Sequence, residues 1–581
     1  MSVVGKALDL PLLWRILSYS RPYKLRFNLT LSLTLALAII GPLRPYVVKV
    51  TVDDYIMKFD YEGLLNMTLL MVALIVIEAI FQFVQVYSAN WLGQTIIKDL
   101  RLKTYSKIIR FRLKYFDNTP IGTLVTRTVS DIETIAEIFS SGILIIIGDL
   151  LKIIVVIGCM IYLDWQLTIA SLISLPLLIV ATNIFKNAIK SSFQDVRTQI
   201  SNLNSFVQEH VTGMNIVQIF NREEEEAKKF KEINAQHRDA NIRSIWAYSI
   251  FFPVVELLSA LSLAMVVWWW TNGVLEGEME FGKILTFILY IHMLFRPIRQ
   301  LADRFNTLQM GMVSSERVFR VLDDESQITQ TGNDKITDVK GDISFKDVWF
   351  AYNEENWVLK GLSLDVKSGE SLALVGATGA GKTSVINLLS RFYEYSKGSI
   401  ELDGKDIRNI NTSDLRNHVG VVLQDVFLFS DTVHNNITIN NKEISREQVI
   451  EAAKAVGAHE FIMKLPDDYD YNVRERGAML SAGQRQLISF IRAYVYNPAI
   501  LILDEATSSI DTESEEIIQH AISKLTENRT SIIIAHRLAT IQKATNILVM
   551  DAGKLVEHGS HSELLAKNGF YKNLFELQFA E

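Results

Sequence analysis

Apolar positions are unevenly spread along this chain. The first three hundred residues carry six long apolar segments, near 26–50, 64–92, 139–162, 165–187, 245–270 and 280–300. Several exceed the roughly 20 residues that an α-helix needs to cross hydrocarbon. The surplus length predicts tilt, or helices that continue beyond the bilayer. Before them, residues about 10–24 mix Leu12, Leu13, Trp14, Ile16 and Leu17 with Arg15, Arg21 and Lys24. That pattern predicts a short amphipathic helix in the cytoplasmic interface. After them the chain turns polar, with Asp323-Asp324-Glu325-Ser326 and Thr331-Gly332-Asn333-Asp334. Beyond about residue 340, short apolar runs alternate with polar stretches, as in an ordinary α/β domain. The expected organisation is an interfacial helix at 1–25, a six-span membrane domain at 26–320, a linker at 321–340 and a nucleotide domain at 341–581.

Basic residues orient the spans. Lys98, Arg101, Lys103, Lys107, Arg110, Arg112, Lys114 and Arg127 lie between the second and third segments, and a comparable set from Lys190 to Arg243 between the fourth and fifth. The opposite connections hold only Lys58 or no basic residue at all. Positive charge stays inside, so both termini and both long connections are expected in the cytoplasm of a cell whose inner (cytoplasmic) membrane holds the spans. Trp165 and Trp268-Trp269-Trp270 suit the outer interface and Trp91 the inner one. The two long connections are helical in pattern, and structureless loops of that size are uncommon. They are expected to be helices that extend, turn near Asn118-Thr119-Pro120 and near Gly213, and return. Gly41-Pro42 and Pro45 predict a kink or an unwound turn in the first span. Arg44, Glu78, Asp149, Lys152, Glu256 and Arg296 are ionisable residues in or near the spans and so functional candidates, which either contact substrate or face a wet interior or cytoplasmic helix extensions. The i, i+3 spacing of Asp149 and Lys152 would let them neutralise each other.

Composition narrows the choice. The hydrophobic fraction is 49% and mean hydropathy +0.19. The net charge of −7 and the lack of a basic block argue against a nucleic-acid partner. The single cysteine, Cys159, rules out an intrachain disulfide framework. No secretory signal is expected in the opening residues, because no small-residue cleavage site precedes the first long span.

The candidate chemistry lies in the second half. Gly376-Ala377-Thr378-Gly379-Ala380-Gly381-Lys382-Thr383 fits the phosphate-loop pattern, with the apolar run Ser371–Val375 before it and a helical stretch from Ser384 after it. Backbone N–H groups and a helix N-terminus would cradle phosphate oxygens. Lys382 would reach the β- and γ-phosphates, and the Thr383 hydroxyl would ligate Mg²⁺. Downstream, the apolar run Ala499–Leu503 ends in Asp504-Glu505. Asp504 is expected near Mg²⁺ and Glu505 near the γ-phosphate, placed to orient and deprotonate a water. Ser531–Ala535 leads to His536, which would hold the γ-phosphate and that water.

Leu480-Ser481-Ala482-Gly483-Gln484 resembles the signature of ATP-binding cassette (ABC) proteins, and the whole chain resembles an ABC exporter half-transporter, the class that includes bacterial multidrug exporters and the lipid A flippase. The resemblance implies a helical six-span transmembrane domain followed by an α/β cassette. It also implies that Tyr352 stacks on adenine, that Gln424 touches Mg²⁺ and senses the membrane domain, that Ser508–Asp511 forms the D-loop, and that Glu475-Arg476-Gly477 meets the coupling helices. Residues Tyr115–Asp131 and Gly213–Glu223 resemble the two intracellular loops. The ATP-contacting set is then Tyr352, Gly376, Ala377, Thr378, Gly379, Ala380, Gly381, Lys382, Thr383 and Ser384, with Ser481, Gly483 and Gln484 of a second chain. Glu505, His536, Lys382 and Gln424 carry catalysis, and Thr383, Gln424 and Asp504 hold Mg²⁺. The Ser481 and Gly483 N–H groups are expected to face the γ-phosphate.

The signature usually reads Leu-Ser-Gly-Gly-Gln, and Ala482 departs from it. That departure leaves both a homodimer and a heterodimer open. The implied function is ATP-driven export or flipping of amphiphilic drugs or lipids by a dimer in the bilayer. The alternative is an ATP-gated channel or a regulatory membrane protein that exports nothing.

Overall fold

The computed structural model describes residues 9–275, 280–326, 332–353, 356–504, 512–535 and 537–579. It forms two compact units, Met1–Ile109 with Pro120–Glu325 and Arg110–Thr119 with Ser326–Glu581.

The first unit is helical. Six helical segments are long and apolar enough to cross a membrane among the described residues. The helices Tyr61–Ile108 and Glu223–Leu275 run for 48 and 53 residues. At 1.5 Å per residue the first is about 72 Å long, more than twice the ~30 Å of hydrocarbon. Both expected extensions are therefore present as continuous helix, and helix Leu175–Thr212 stops at Gly213. The N-terminal helix Leu10–Ser18 is capped by Asp9, which accepts from the Leu12 N–H at 3.2 Å. It buries Leu13 and Ile16 and leaves Leu10 and Trp14 exposed. Arg15 forks onto Asp323 at 2.6 and 2.7 Å and lies over the Phe319 ring. The short helix is thus tied to the end of the last long one, Phe281–Asp323.

Two expectations for the spans need correction. The first span is not unwound at its prolines: one α-helix runs Lys24–Val50 through Pro42 and Pro45, and only then loosens into a π-helical turn, Thr51–Ile56. Neighbouring side chains support that stretch, with the Tyr290 hydroxyl donating to Pro42 O and the Thr286 hydroxyl to Pro45 O, both at 2.8 Å. The carbonyls that the two prolines leave without an intrahelical donor are those four residues back, Ala38 and Gly41, so these bonds tie the prolines' own carbonyls to the last long helix. Asp149 does not pair with Lys152 either. It binds Arg304 of the last helix, whose planar fork is the better carboxylate partner.

The spans line a cavity of about 620 Å³ whose wall mixes Leu37, Ile75, Ile145 and Leu289 with charged side chains, among them Arg44, Glu78, Asp149, Lys152, Arg296 and Arg304.

Among the described residues the second unit holds two sheets. A four-stranded sheet has the order β2-β1-β4-β5, where β1 is Ile343–Phe350, β2 Leu359–Val366, β4 Lys397–Leu402 and β5 Lys405–Asp406. A six-stranded sheet has the order β10-β9-β3-β8-β7-β6. Its strands are β3 Ser371–Gly376, β6 Val419–Val422, β7 Ile500–Asp504, β8 Thr530–Ile534, β9 Asn546–Asp551 and β10 Lys554–Gly559. All its pairs are parallel except β9 with β10. Parallel strands covered on both faces read as unbroken apolar runs, and β3 shows why. Leu372 and Leu374 pack into one core, Ala373 and Val375 into another. On β7, Ile500 and Ile502 face the first core, Leu501 and Leu503 the second.

Close approach of two spans gives a test. A Cβ at Gly148 would stand 2.5 Å from Thr34 Cγ2, whereas one at Gly158 on the same helix would meet nothing within 4 Å. Gly148→Ala should lower the thermal midpoint in detergent, by the equivalent of about 1–3 kcal/mol for forced overpacking. Gly158→Ala should leave the midpoint unchanged or raise it slightly. Equal midpoints for the two variants would contradict the packing.

Candidate nucleotide site

The phosphate loop joins β3 to helix Lys382–Leu389. Central placement of β3 between β8 and β9 puts the loop at the carboxyl end of a parallel sheet, where such sheets bind ligands. Gly381 has φ +101°, and a Cβ there would approach Leu359 Cδ2 to 2.8 Å, so the last turn into the helix admits only glycine without strain. Gly379 has φ +86° with open space where a side chain would stand, which fits a loop that wraps a ligand.

Lys382 is buried, and its Nζ donates to Gly376 O at 2.7 Å and Ala377 O at 3.1 Å. Burial lowers its pKa, and the Asp504 charge partly opposes that. Asp504, at the end of β7, is held above the usual carboxylate range by burial. Lys382 works against this shift and Asp425 with it. Two buried opposite charges therefore face the loop, each disfavoured by desolvation. A polyphosphate with a divalent cation suits that pair, since the anion meets Lys382 and the cation Asp504.

The other expected residues fall as follows. Thr383 is exposed and Ser384 buried. Ser384 Oγ is 3.1 Å from the Tyr352 hydroxyl, which also accepts from Asn387 Nδ2 at 2.9 Å. The Tyr352 ring is edge-on to Phe350 and Tyr393 at 4.7 and 4.9 Å between centroids. Gln424 is exposed, two residues beyond β6. Because Val422 pairs with Leu503 across β6 and β7, Gln424 leaves the sheet beside the strand that ends in Asp504. Glu505, His536 and the D-loop residues Ser508–Asp511 lie outside the described residues. The strands that precede Glu505 and His536 are neighbours, with Asp504 opposite Ile534.

Ser481 caps helix Ala482–Tyr496. Its Oγ accepts from the Gln484 N–H at 3.2 Å, and its own N–H donates to Gln484 Oε1 at 3.0 Å. This capping box takes up the Ser481 amide that was expected to face phosphate. The helix N-terminus keeps the N–H groups of Ala482 and Gly483 as its orphan donors. Ala482 is exposed at that terminus, and Gly483 is buried.

The sequence reading missed Tyr393. Residues 110–119 belong to this unit, and their short helix Leu113–Asn118 binds there through Asp117, which accepts from the Tyr393 hydroxyl. Arg112 stands 3.7 Å from Glu394. A chain of contacts thus runs from Tyr352 through Tyr393 to Asp117. The only sequence signal was an aromatic beside an acid, Tyr393-Glu394, just past the phosphate-loop helix.

Family comparison agrees with this geometry. Residues 27–298 match the ABC transporter transmembrane region, and residues 359–508 match ABC transporter. The chain belongs to the ABC transporter family. YknV, an uncharacterized ABC transporter ATP-binding protein of Bacillus subtilis, is 36% identical over all of this chain and 96% of its own length. An ATP-dependent lipid A-core flippase of Thiobacillus denitrificans is 33% identical over 98% of each chain. YgaD of Bacillus subtilis, named for multidrug export, is 35% identical over 97% of this chain and 99% of its own. This ABC transporter is thus an exporter half-transporter, a multi-pass membrane protein that binds ATP and couples its hydrolysis to transport.

Burial of Asp504 sets a pH test. A carboxyl whose folded pKa is raised favours folding below its unfolded pKa, and that contribution is lost as pH rises through the folded pKa. Asp504→Asn should therefore raise the thermal midpoint of the nucleotide-free transporter at pH 7. The gain should fade as pH is lowered through the carboxylate range. A midpoint that falls at pH 7 would count against a buried carboxylate that Lys382 only partly compensates.

Proposed function

We propose that the protein exports or flips amphiphilic molecules, drugs or lipids, from the cytoplasmic side of the cell's inner membrane, working as a dimer of half-transporters. The observation that carries this reading is the cavity of about 620 Å³ among the spans, apolar and charged at once, in a chain whose residues 359–508 also match the ABC transporter family. Its size falls in the range of small-molecule sites. Both termini lie in the cytoplasm, and the domains divide near residues 25, 320 and 340.

One chain supplies one phosphate loop and one signature. ATP is held between Gly376–Ser384 of one chain, with Tyr352 against adenine, and the Ser481-Ala482-Gly483-Gln484 helix start of the other. Lys382 leaves its own loop carbonyls for the phosphates. Thr383, Gln424 and Asp504 hold Mg²⁺, which neutralises phosphate charge when bound. Glu505 orients and deprotonates the water, and His536 positions it. The helix N-terminus of the partner, with the free Ala482 and Gly483 amides and its dipole, completes the charge shell around the terminal phosphate. Loss of that phosphate removes the bond between the two cassettes. Tyr393 and Asp117 carry the change at the adenine side to the 113–118 helix, and Gln424 carries it at the metal side. The partner is a second copy or a related chain, since Ala482 alters the signature without removing Glu505 or Gln424.

Two tests address this mechanism. Glu505→Gln should retain ATP binding and slow turnover by at least ~10²-fold, the scale of a lost general base. Near-normal ATPase activity would refute that role. For the shared site, Lys382→Ala and Ser481→Glu should each abolish ATPase activity alone. Coexpressed, the two variants should recover part of it, because one of the two composite sites is then intact. No recovery in a mixed dimer isolated through two tags would argue that each chain hydrolyses ATP by itself.

A further inference from the structure

Tyr352 is held from its hydroxyl end. Asn387 Nδ2 donates to the Tyr352 hydroxyl at 2.9 Å, and that hydroxyl lies 3.1 Å from Ser384 Oγ. Ser384 and Asn387 stand three positions apart on helix Lys382–Leu389, so they share the face that meets Tyr352. Ser384 is buried and Asn387 half-buried. Asn387 also fixes the neighbouring ring. Its backbone oxygen accepts from the N–H groups of Phe392 at 2.9 Å and Tyr393 at 3.3 Å, and Tyr393 packs edge-on to Tyr352. The donor and acceptor inventory then orders the protons. An amide nitrogen only donates, so the Tyr352 oxygen accepts from Asn387 and keeps its own proton for Ser384 Oγ. Ser384, having accepted, keeps its proton for an acceptor from outside the chain. Its place in the first turn after the phosphate loop makes a phosphate oxygen that acceptor.

We infer that Asn387 is a positioning residue for ATP that acts through Tyr352. It holds the ring on which adenine stacks, and it sets the direction of a hydrogen-bond relay from Asn387 to Tyr352 to Ser384 that leaves the Ser384 proton for a phosphate oxygen. The base end and the phosphate end of one nucleotide thereby share an element within one chain. Without Asn387, the Tyr352 hydroxyl accepts from Ser384 as readily as it donates. When it accepts, Ser384 turns a lone pair toward the phosphate. A hydroxyl that accepts and donates at once is also more strongly polarised than one that does only one of these. The inference rests on the reading that Tyr352 stacks on adenine, and it adds a residue one hydrogen bond removed from the nucleotide.

The test is calorimetric titration of the purified full-length protein with ATP and with inorganic triphosphate, in EDTA so that nothing is hydrolysed. Asn387→Ala should weaken ATP by ~3- to ~10-fold, the range of one net hydrogen bond. It should also weaken inorganic triphosphate, which has no base and reads only the Ser384 end. Asn387→Asp keeps the shape but accepts instead of donating, and it should not restore affinity. Tyr352→Phe deletes one oxygen from the other end of the same bond and should cost about as much as Asn387→Ala; it carries the test if Asn387→Ala folds poorly. In the Tyr352→Phe background, Asn387→Ala should cost nothing further, since the two changes break one relay. A merely structural asparagine would cost the same in both backgrounds, and that result overturns the inference. Parental ATP affinity in Asn387→Ala, Asn387→Asp or Tyr352→Phe overturns it too, as does an unchanged affinity of Asn387→Ala for inorganic triphosphate. Tyr352→Ala separates the two readings. If it leaves ATP affinity unchanged, the adenine assignment itself falls; if it weakens ATP while Asn387→Ala does not, only the positioning role falls.

Discussion

The nucleotide unit depends on one buried ammonium. Lys382 sits where water barely reaches, and its protons go to the carbonyls of its own loop. Burial weakens its hold on its charge, and burial likewise weakens the hold of Asp504 on its own. Each is the nearest relief for the other, and neither is fully relieved. A triphosphate with a divalent cation supplies what both lack. The arrangement stands because β3 and β7 are covered on both faces, with alternate side chains locked into different cores. A strand packed on both faces cannot shift by one residue without turning its whole apolar set around. The ends of these strands, and the acid and the loop they carry, are therefore fixed in place.

Much of this was legible in the sequence, for identifiable reasons. The phosphate loop and the strand leading into it are local patterns, so their context could be read from a dozen residues. The six spans and the long helical extensions follow from apolar run length and helical period, which are properties of a single segment. What escaped reading was pairing across the fold. Spacing alone suggested Asp149 with Lys152, but Arg304, 155 positions away, takes the carboxylate. Pro42 and Pro45 suggested a kink or an unwound turn, but the α-helix winds on through both, and Tyr290 and Thr286, more than 240 positions away, donate to their carbonyls. The bond between Tyr393 and Asp117 spans 276 positions and left no periodic trace. Ser481 was expected to turn its amide to phosphate, yet that amide is engaged by Gln484 within a capping box, a pattern the same four residues spell out. Glu505 and His536 rest on motif alone.

The membrane unit shows the same division. Hydrocarbon enforces helix, so its secondary structure was readable, whereas the partners of its charges were not. Selection among possible ion pairs is a matter of reach and geometry in three dimensions. Among the described residues, Arg304 and Arg44 pair with acids within 4.0 Å, and Lys152 and Arg296 do not.

The helix Tyr61–Ile108 contains no proline along its 48 residues. A rod of about 72 Å is a lever. Tilting it by only about 5° around one end sweeps the other through about 6 Å, close to one helical pitch. A small angular change at one tip is thus geared up into a displacement large enough to make or break a side-chain packing layer at the far tip. Length here acts as mechanical advantage, and an uninterrupted backbone keeps it from being lost in a bend.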